Sequence, residues 1–259
     1  MTHPYLSGTP RPRVLAHRGL VPVGSPEMVE NSFAAIAAAH AAGAVYVESD
    51  CHLTRDGEVV LFHDDDLSRV AGDPRLIRDV TLRELEELMA DRGGLASFEQ
   101  ALQSFPDVRF NIDVKADAAA EPAGRLAASA AERVLLTSFS ERRRRTALAA
   151  AARARPALQP ATSAGATLVA RVAAAAVTGS RGLVRRTLAG IDALQVPEYQ
   201  NRIRVVTPRF LDAAHDAGVE VHVWTVNDEA DMRRLIGMGV DGLVTDRAEL
   251  ALRILGPGR

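Results

Sequence analysis

Short apolar runs alternate with helix-forming segments from Arg13 almost to the C-terminus. Strands separated by helices read as βα units, and their parallel strands must be covered on both faces or closed into a barrel. At 259 residues the chain has an ordinary size for one closed barrel, and no break in composition at mid-chain marks a second domain. The expectation is therefore an α/β chain folded as a (β/α)8 TIM barrel over residues 13–259, after a loose Pro- and Gly-containing lead-in over residues 1–12. Nine candidate strands compete for eight places. Either the run Glu58 to Phe62 or one of the short runs Ala157 to Pro160 and Ala193 to Pro197 lies outside the barrel count. The Asp50 to Glu58 link is shorter than a parallel crossover needs.

The stretch Ala44 to Asp64, AVYVESDCHLTRDGEVVLFHD, puts ionisable groups where a strand normally has core residues. Side chains alternate along a strand, so Val45, Val47, Ser49 and Cys51 share one face while Tyr46, Glu48, Asp50 and His52 share the other. Two carboxylates thus point the same way, about 7 Å apart along the backbone. The next run is apolar until it stops at His63 and Asp64. A second strand, Arg109 to Lys115, alternates as cleanly, with Asn111, Asp113 and Lys115 forming a polar line.

Barrel sites lie where strands end and the following loops begin. Those ends collect His17, Arg18, Glu48, Asp50, His63, Asp113, Lys115, Ser138, Trp224 and Asn227. Three carboxylates without a thiolate form an oxygen-rich nest for a hard cation, Mg²⁺ or Ca²⁺. Arg18 and Lys115 add positive charge for a phosphate, and His17 and His63 supply a proton acceptor and a proton donor. A phosphodiester needs that set, because its nucleophile loses a proton, its leaving alkoxide gains one and its non-bridging oxygens need neutralising. Of the 31 basic residues only Lys115 is lysine, which singles it out. Trp224, near the end of its strand, is expected at the substrate mouth. Glu30 and Asn31 cap a helix or orient Arg18 or the ion.

Composition excludes several classes. A net charge of −2, read with no basic block, gives no electrostatic case for nucleic acid or an anionic membrane. No apolar run is long enough to span a bilayer, and Met1 to Arg13 has no leader pattern, so a cytoplasmic location without membrane insertion is expected. One cysteine, Cys51, rules out an internal disulfide. The alanine-rich region Thr167 to Ala189 is read as helix propensity with no chemistry.

The succession HRG, ENS before a helix, ExD, LTRDG, HD, the strand IDVK, and late VWTVN and GVDGLVTDR resembles the glycerophosphodiester phosphodiesterase family from His17 to Arg247. The resemblance implies a (β/α)8 barrel that cleaves small-molecule glycerophosphodiesters into glycerol 3-phosphate and an alcohol. Carried over by position, it implies His17 and His63 as base and acid, Glu48, Asp50 and Asp113 as ligands of one divalent cation, and Arg18 and Lys115 on the phosphate. Val29 stands where the family usually has Pro, and Asp113 where it commonly has Glu. Two other outcomes use the same residues: a lysophospholipase D-like or cyclising lyase activity, and a barrel that binds phosphorylated polyols without turnover. The few aromatics, one Trp, three Tyr and seven Phe, weigh against a lipid surface. Oligomeric state is not legible.

Overall fold

The computed structural model describes residues 2–256, so residue 1 of the expected lead-in and residues 257–259 of the expected barrel span lie outside the described residues. Eight parallel strands follow one another around a barrel: β1 Arg13–His17, β2 Tyr46–Leu53, β3 Arg109–Val114, β4 Val134–Thr137, β5 Ala161–Thr162, β6 Ala193–Pro197, β7 Glu220–Trp224 and β8 Gly242–Thr245. Each pairs with its sequence neighbours, and β8 returns to β1. Between β5 and β6 the ring is joined by the parallel bridge Ser163 to Ala193, with the Asp192 amide donating to the Thr162 carbonyl and the Thr162 amide to the Asp192 carboxylate. The (β/α)8 expectation is borne out, and the competition for places is resolved. Val59–Leu61 runs antiparallel to β2, as a hairpin partner outside the barrel, and the short strand expected at Ala157 to Pro160 lies instead at β5.

Helix starts follow the cap residues. Ser32 accepts from the Ala35 amide, Thr81 and Glu84 form a reciprocal capping box, and Thr207 precedes Pro208 at the first helical position. The alternation read in β2 and β3 holds: Val47, Cys51, Phe110, Ile112 and Val114 pack outward into the layer between sheet and helices, while Tyr46 faces the barrel interior.

The lead-in is not loose. Tyr5 and Leu6 are buried and join Leu15, Tyr46, Leu135 and Val244 in an interior cluster that floors the barrel. Arg13 sits among them, donating from Nε and Nη2 to both carboxylate oxygens of Glu220 at 2.8 Å and from Nη1 to Tyr46 Oη at 2.8 Å. Between Val59–Leu61 and β3 the chain makes a separate small cluster around Phe62, Leu67, Ile77 and Leu85, capped by the hairpin Asp66–Leu67 and Asp73–Leu76. No described helix is long and apolar enough to cross a membrane.

Candidate active site

Register brings the predicted side chains together. His17 is level with Glu48 on the neighbouring strand, Glu48 with Asn111, and Asp50 with Asp113. All of them, with Arg18, His63, Lys115 and Trp224, line one cavity of about 450 Å³ at the C-terminal ends of the strands. Glu48, Asp50 and Asp113 are buried. Burial, and then the facing Asp50 and Asp113 carboxylates, push the Glu48 pKa well above the usual carboxylate range. Burial also raises Asp113, despite the opposing charge of Lys115.

The Lys115 ammonium lies 2.9 Å from Asp50 Oδ1 and 2.7 Å from Asp113 Oδ2. Burial disfavours its charge, but the Asp113 and Asp50 carboxylates outweigh that and raise its pKa. The expected three-carboxylate nest is thus modified: among the described residues no three acid, imidazole or thiol side chains stand together as the coordination sphere of one ion. Even so, Glu48 Oε2 and Asp113 Oδ1 are buried oxygens without a hydrogen-bond donor. Unpartnered anionic oxygens beside a third carboxylate have the chemistry that a hard cation satisfies.

Both imidazoles are held from behind. His17 Nδ1 is 2.6 Å from Asp246 Oδ1, and Asn227 donates from Nδ2 to Asp246 Oδ2 at 2.6 Å. The hydrogen bonds from His17 and Asn227 hold the Asp246 carboxyl below its ordinary range. His63 Nδ1 is 2.6 Å from Asp64 Oδ1, and Arg69 donates to Asp64 Oδ2 at 2.6 Å. A carboxylate on Nδ1 fixes the tautomer and turns Nε2 toward the cavity. Arg18 lies with Nε 3.2 Å from Asp50 Oδ2, and its Nη1 donates to Glu30 at 2.7 Å; Arg69 also donates to Glu30, at 2.6 Å. Asn31 donates to Asp50 and accepts from Ser49. Arg18 and Asn31 both take positive φ, 57° and 59°, where the loop turns back so that the Asn31 amide donates to the Arg18 carbonyl.

The sequence profile of the glycerophosphoryl diester phosphodiesterase family matches residues 17–250. The chain belongs to this family. Similar proteins include a probable glycerophosphodiester phosphodiesterase 2 of Mycobacterium tuberculosis, 36% identical over 244 residues that cover 93% of this chain and 89% of that one. A crystal structure of a Thermotoga maritima glycerophosphodiester phosphodiesterase superposes with a TM-score of 0.70 at 26% identity, covering 95% and 99% of the two chains. An Oleispira antarctica phosphodiesterase in complex with the product sn-glycerol-3-phosphate shares the fold, with a TM-score of 0.71 at 22% identity, covering 95% and 97%.

In this family member the residues that sequence reading passed over are those behind the histidines. Asp246 reads as the opening of the last helix, yet that helix begins at Ala248 and the Asp246 side chain serves His17 instead. Asn227 was collected as a strand end without a role; it accepts from the Thr245 hydroxyl and the Asp246 amide while steering Asp246. His52, on the carboxylate face, stays out of the cavity lining and contacts the His63 carbonyl at 3.2 Å. Phe139 lies edge-on to Trp224, ring centres 5.8 Å apart, beneath the Lys115 ammonium at 5.5 Å.

Proposed function

We propose that this chain hydrolyses glycerophosphodiesters to glycerol 3-phosphate and an alcohol, with His17 and His63 moving the protons. The observation that carries this reading is the pairing of two carboxylate-backed imidazoles in the one cavity that also holds Arg18, Lys115 and three acids. His17 takes the proton of a water, or of the hydroxyl next to the phosphate, as its oxygen attacks phosphorus. The bond from phosphorus to the leaving oxygen breaks, and His63 protonates that oxygen. Arg18 and Lys115 neutralise the non-bridging oxygens, and Trp224 with Phe139 borders the substrate. The family membership and the product held by the Oleispira antarctica phosphodiesterase agree with such a reaction.

Glu48, Asp50 and Asp113 would hold a divalent cation, Mg²⁺ or Ca²⁺, which when bound supplies Lewis-acid neutralisation of the phosphate. Turnover of glycerophosphocholine or glycerophosphoethanolamine is expected to vanish with chelator and return with Mg²⁺ or Ca²⁺. Undiminished turnover after chelation would remove the cation from the mechanism. Phosphorus NMR of the products is expected to show glycerol 3-phosphate; a persistent cyclic ester belongs to a lyase.

Asp246 acts here as a positioning residue for His17. Asp246→Asn keeps the shape but offers the imidazole a donor or a neutral acceptor, so the wrong tautomer gains population. The expected result is a kcat lowered by up to about 10²-fold with KM nearly unchanged, within the span of one proton-transfer group, and a shifted limb in the pH profile. An unchanged pH profile would assign Asp246 a merely structural role.

A further inference from the structure

The cavity holds more unpaired oxygen than its acids account for. Among the described residues, the buried side-chain oxygens without a hydrogen-bond partner include Glu48 Oε2, Asp113 Oδ1 and Asn111 Oδ1. All three residues line the cavity. Asn111 is only 2% exposed, so bulk water does not satisfy its carboxamide oxygen, and a buried polar atom left in that state calls for a partner. The proton transfers and phosphate contacts proposed above make no use of it.

Register places these oxygens together. Asn111 is level with Glu48 across the β2 and β3 pairing, where neighbouring strands run about 4.8 Å apart. Asp113 follows two residues on along β3, on the same face and about 7 Å away along the backbone. His17 Nε2 stands 3.9 Å from Glu48 Oε2, beyond hydrogen-bond reach.

Asp50 is differently placed. Its Oδ1 lies 2.9 Å from the Lys115 ammonium, and its Oδ2 meets Arg18 Nε and Asn31 Nδ2, each at 3.2 Å. A cation that binds Asp50 must share those oxygens with three donors, whereas Asn111 has a whole oxygen to give. Asp113 has the shorter reach of the two acid types, so an ion that it binds sits close to β3, the strand that also carries Asn111. Acids, imidazoles and thiols alone do not make up a coordination sphere among the described residues, and an amide oxygen adds to what they supply. Amide carbonyl oxygens are ordinary ligands of hard cations, and a neutral one adds a ligand without adding to the repulsion among three buried carboxylates.

We propose that Asn111 binds the divalent cation through Oδ1, as a neutral fourth ligand beside Glu48, Asp50 and Asp113. Cation binding by the three carboxylates, as proposed above, is the premise. The competing role for a buried carboxamide is to donate from Nδ2 to a neighbouring carboxylate and hold it in place. The two roles respond in opposite ways to Asn111→Asp, which keeps an oxygen at this position and removes the donor.

Calorimetric titration of the metal-free protein with CaCl₂ and with MgCl₂, in the absence of substrate, tests the assignment. The unaltered protein is expected to bind one cation. Asn111→Leu, similar in size but without the oxygen, is expected to weaken that binding about 10- to 100-fold, the loss that follows even when only a group supporting a metal ligand is removed. Asn111→Asp is expected to bind at least as tightly as the unaltered protein. The rise in melting temperature on adding CaCl₂ should follow the same order, and the melting temperature without it reports whether each variant is folded. If Asn111→Leu does not fold, the smaller Asn111→Ala takes its place. Cation affinity unchanged in Asn111→Leu, or weakened in Asn111→Asp, overturns the ligand role and leaves the cation with its carboxylates. An unaltered protein that binds neither cation overturns the premise instead.

Discussion

Truncating His17 or His63 to alanine is expected to lower kcat on a glycerophosphodiester by about 10² to 10⁴, the usual contribution of one positioned proton-transfer group. The two losses differ in kind. A diester whose leaving group is a nitrophenolate departs without needing a proton, so the acid becomes dispensable while the base does not. His63→Ala is therefore expected to recover most of its rate on glycerophospho-nitrophenol, and His17→Ala to stay slow on both esters. The reverse pattern would exchange the two roles. Full activity of either variant on an alkyl ester would remove that imidazole from the reaction. The carboxylates behind the rings make the outcome sharp: Asp246 and Asp64 each sit 2.6 Å from an Nδ1, which leaves Nε2 as the free nitrogen of each ring.

How much of this site was legible depends on the range over which a residue finds its partner. Glu48, Asp50, Asp113 and Lys115 announce themselves because strand alternation is a local rule, and parallel register then sets Asp50 beside Asp113. Asp246 was not legible, since its partner lies 229 residues away and a helix start two residues on offered a sufficient local explanation. The same limit applies to the contact of Arg69 with Glu30, 39 residues away. Alanine in Ala166–Val177 does build a helix, as its propensity says, but one stripe of that helix is also cavity wall. Propensity reports on the backbone and is silent about what the exposed face meets.

The fold was legible from alternation, and the one ambiguity, nine strands for eight places, stayed open until the structure placed Val59–Leu61 outside the barrel. Val59–Leu61 follows β2 too closely for a parallel crossover and so turns back antiparallel. The lead-in was misread because Pro and Gly were weighted over Tyr5 and Leu6, two side chains with enough apolar area to be drawn into the open lower end of the barrel.

At that lower end lies the largest expected effect on stability. Arg13 and Glu220 are both buried, and the guanidinium meets the carboxylate through two parallel 2.8 Å bonds. Glu220→Gln leaves the Arg13 charge buried without its counter-charge, and loss of one partner of such a pair costs about 3 to 5 kcal/mol. At about 2 to 4 °C per kcal/mol for a chain near this size, the melting temperature is expected to fall by roughly 6 to 20 °C. Replacing both partners, Arg13→Met with Glu220→Leu, removes both charges and is expected to recover part of that loss. Burial alone would raise the Glu220 pKa, but the hydrogen bonds from Arg13 and His222 bring it down to about 2. A carboxyl depressed in the folded state stabilises above its unfolded pKa, so this contribution is present near neutrality and drains away as pH falls from the ordinary carboxylate range toward 2. In Glu220→Gln that acid-linked loss is absent, so the melting temperatures of the two proteins should converge on acidification. A melting temperature for Glu220→Gln within about 2 °C of the unaltered protein at pH 7 would show that water reaches Arg13 and that the floor pair is not dry.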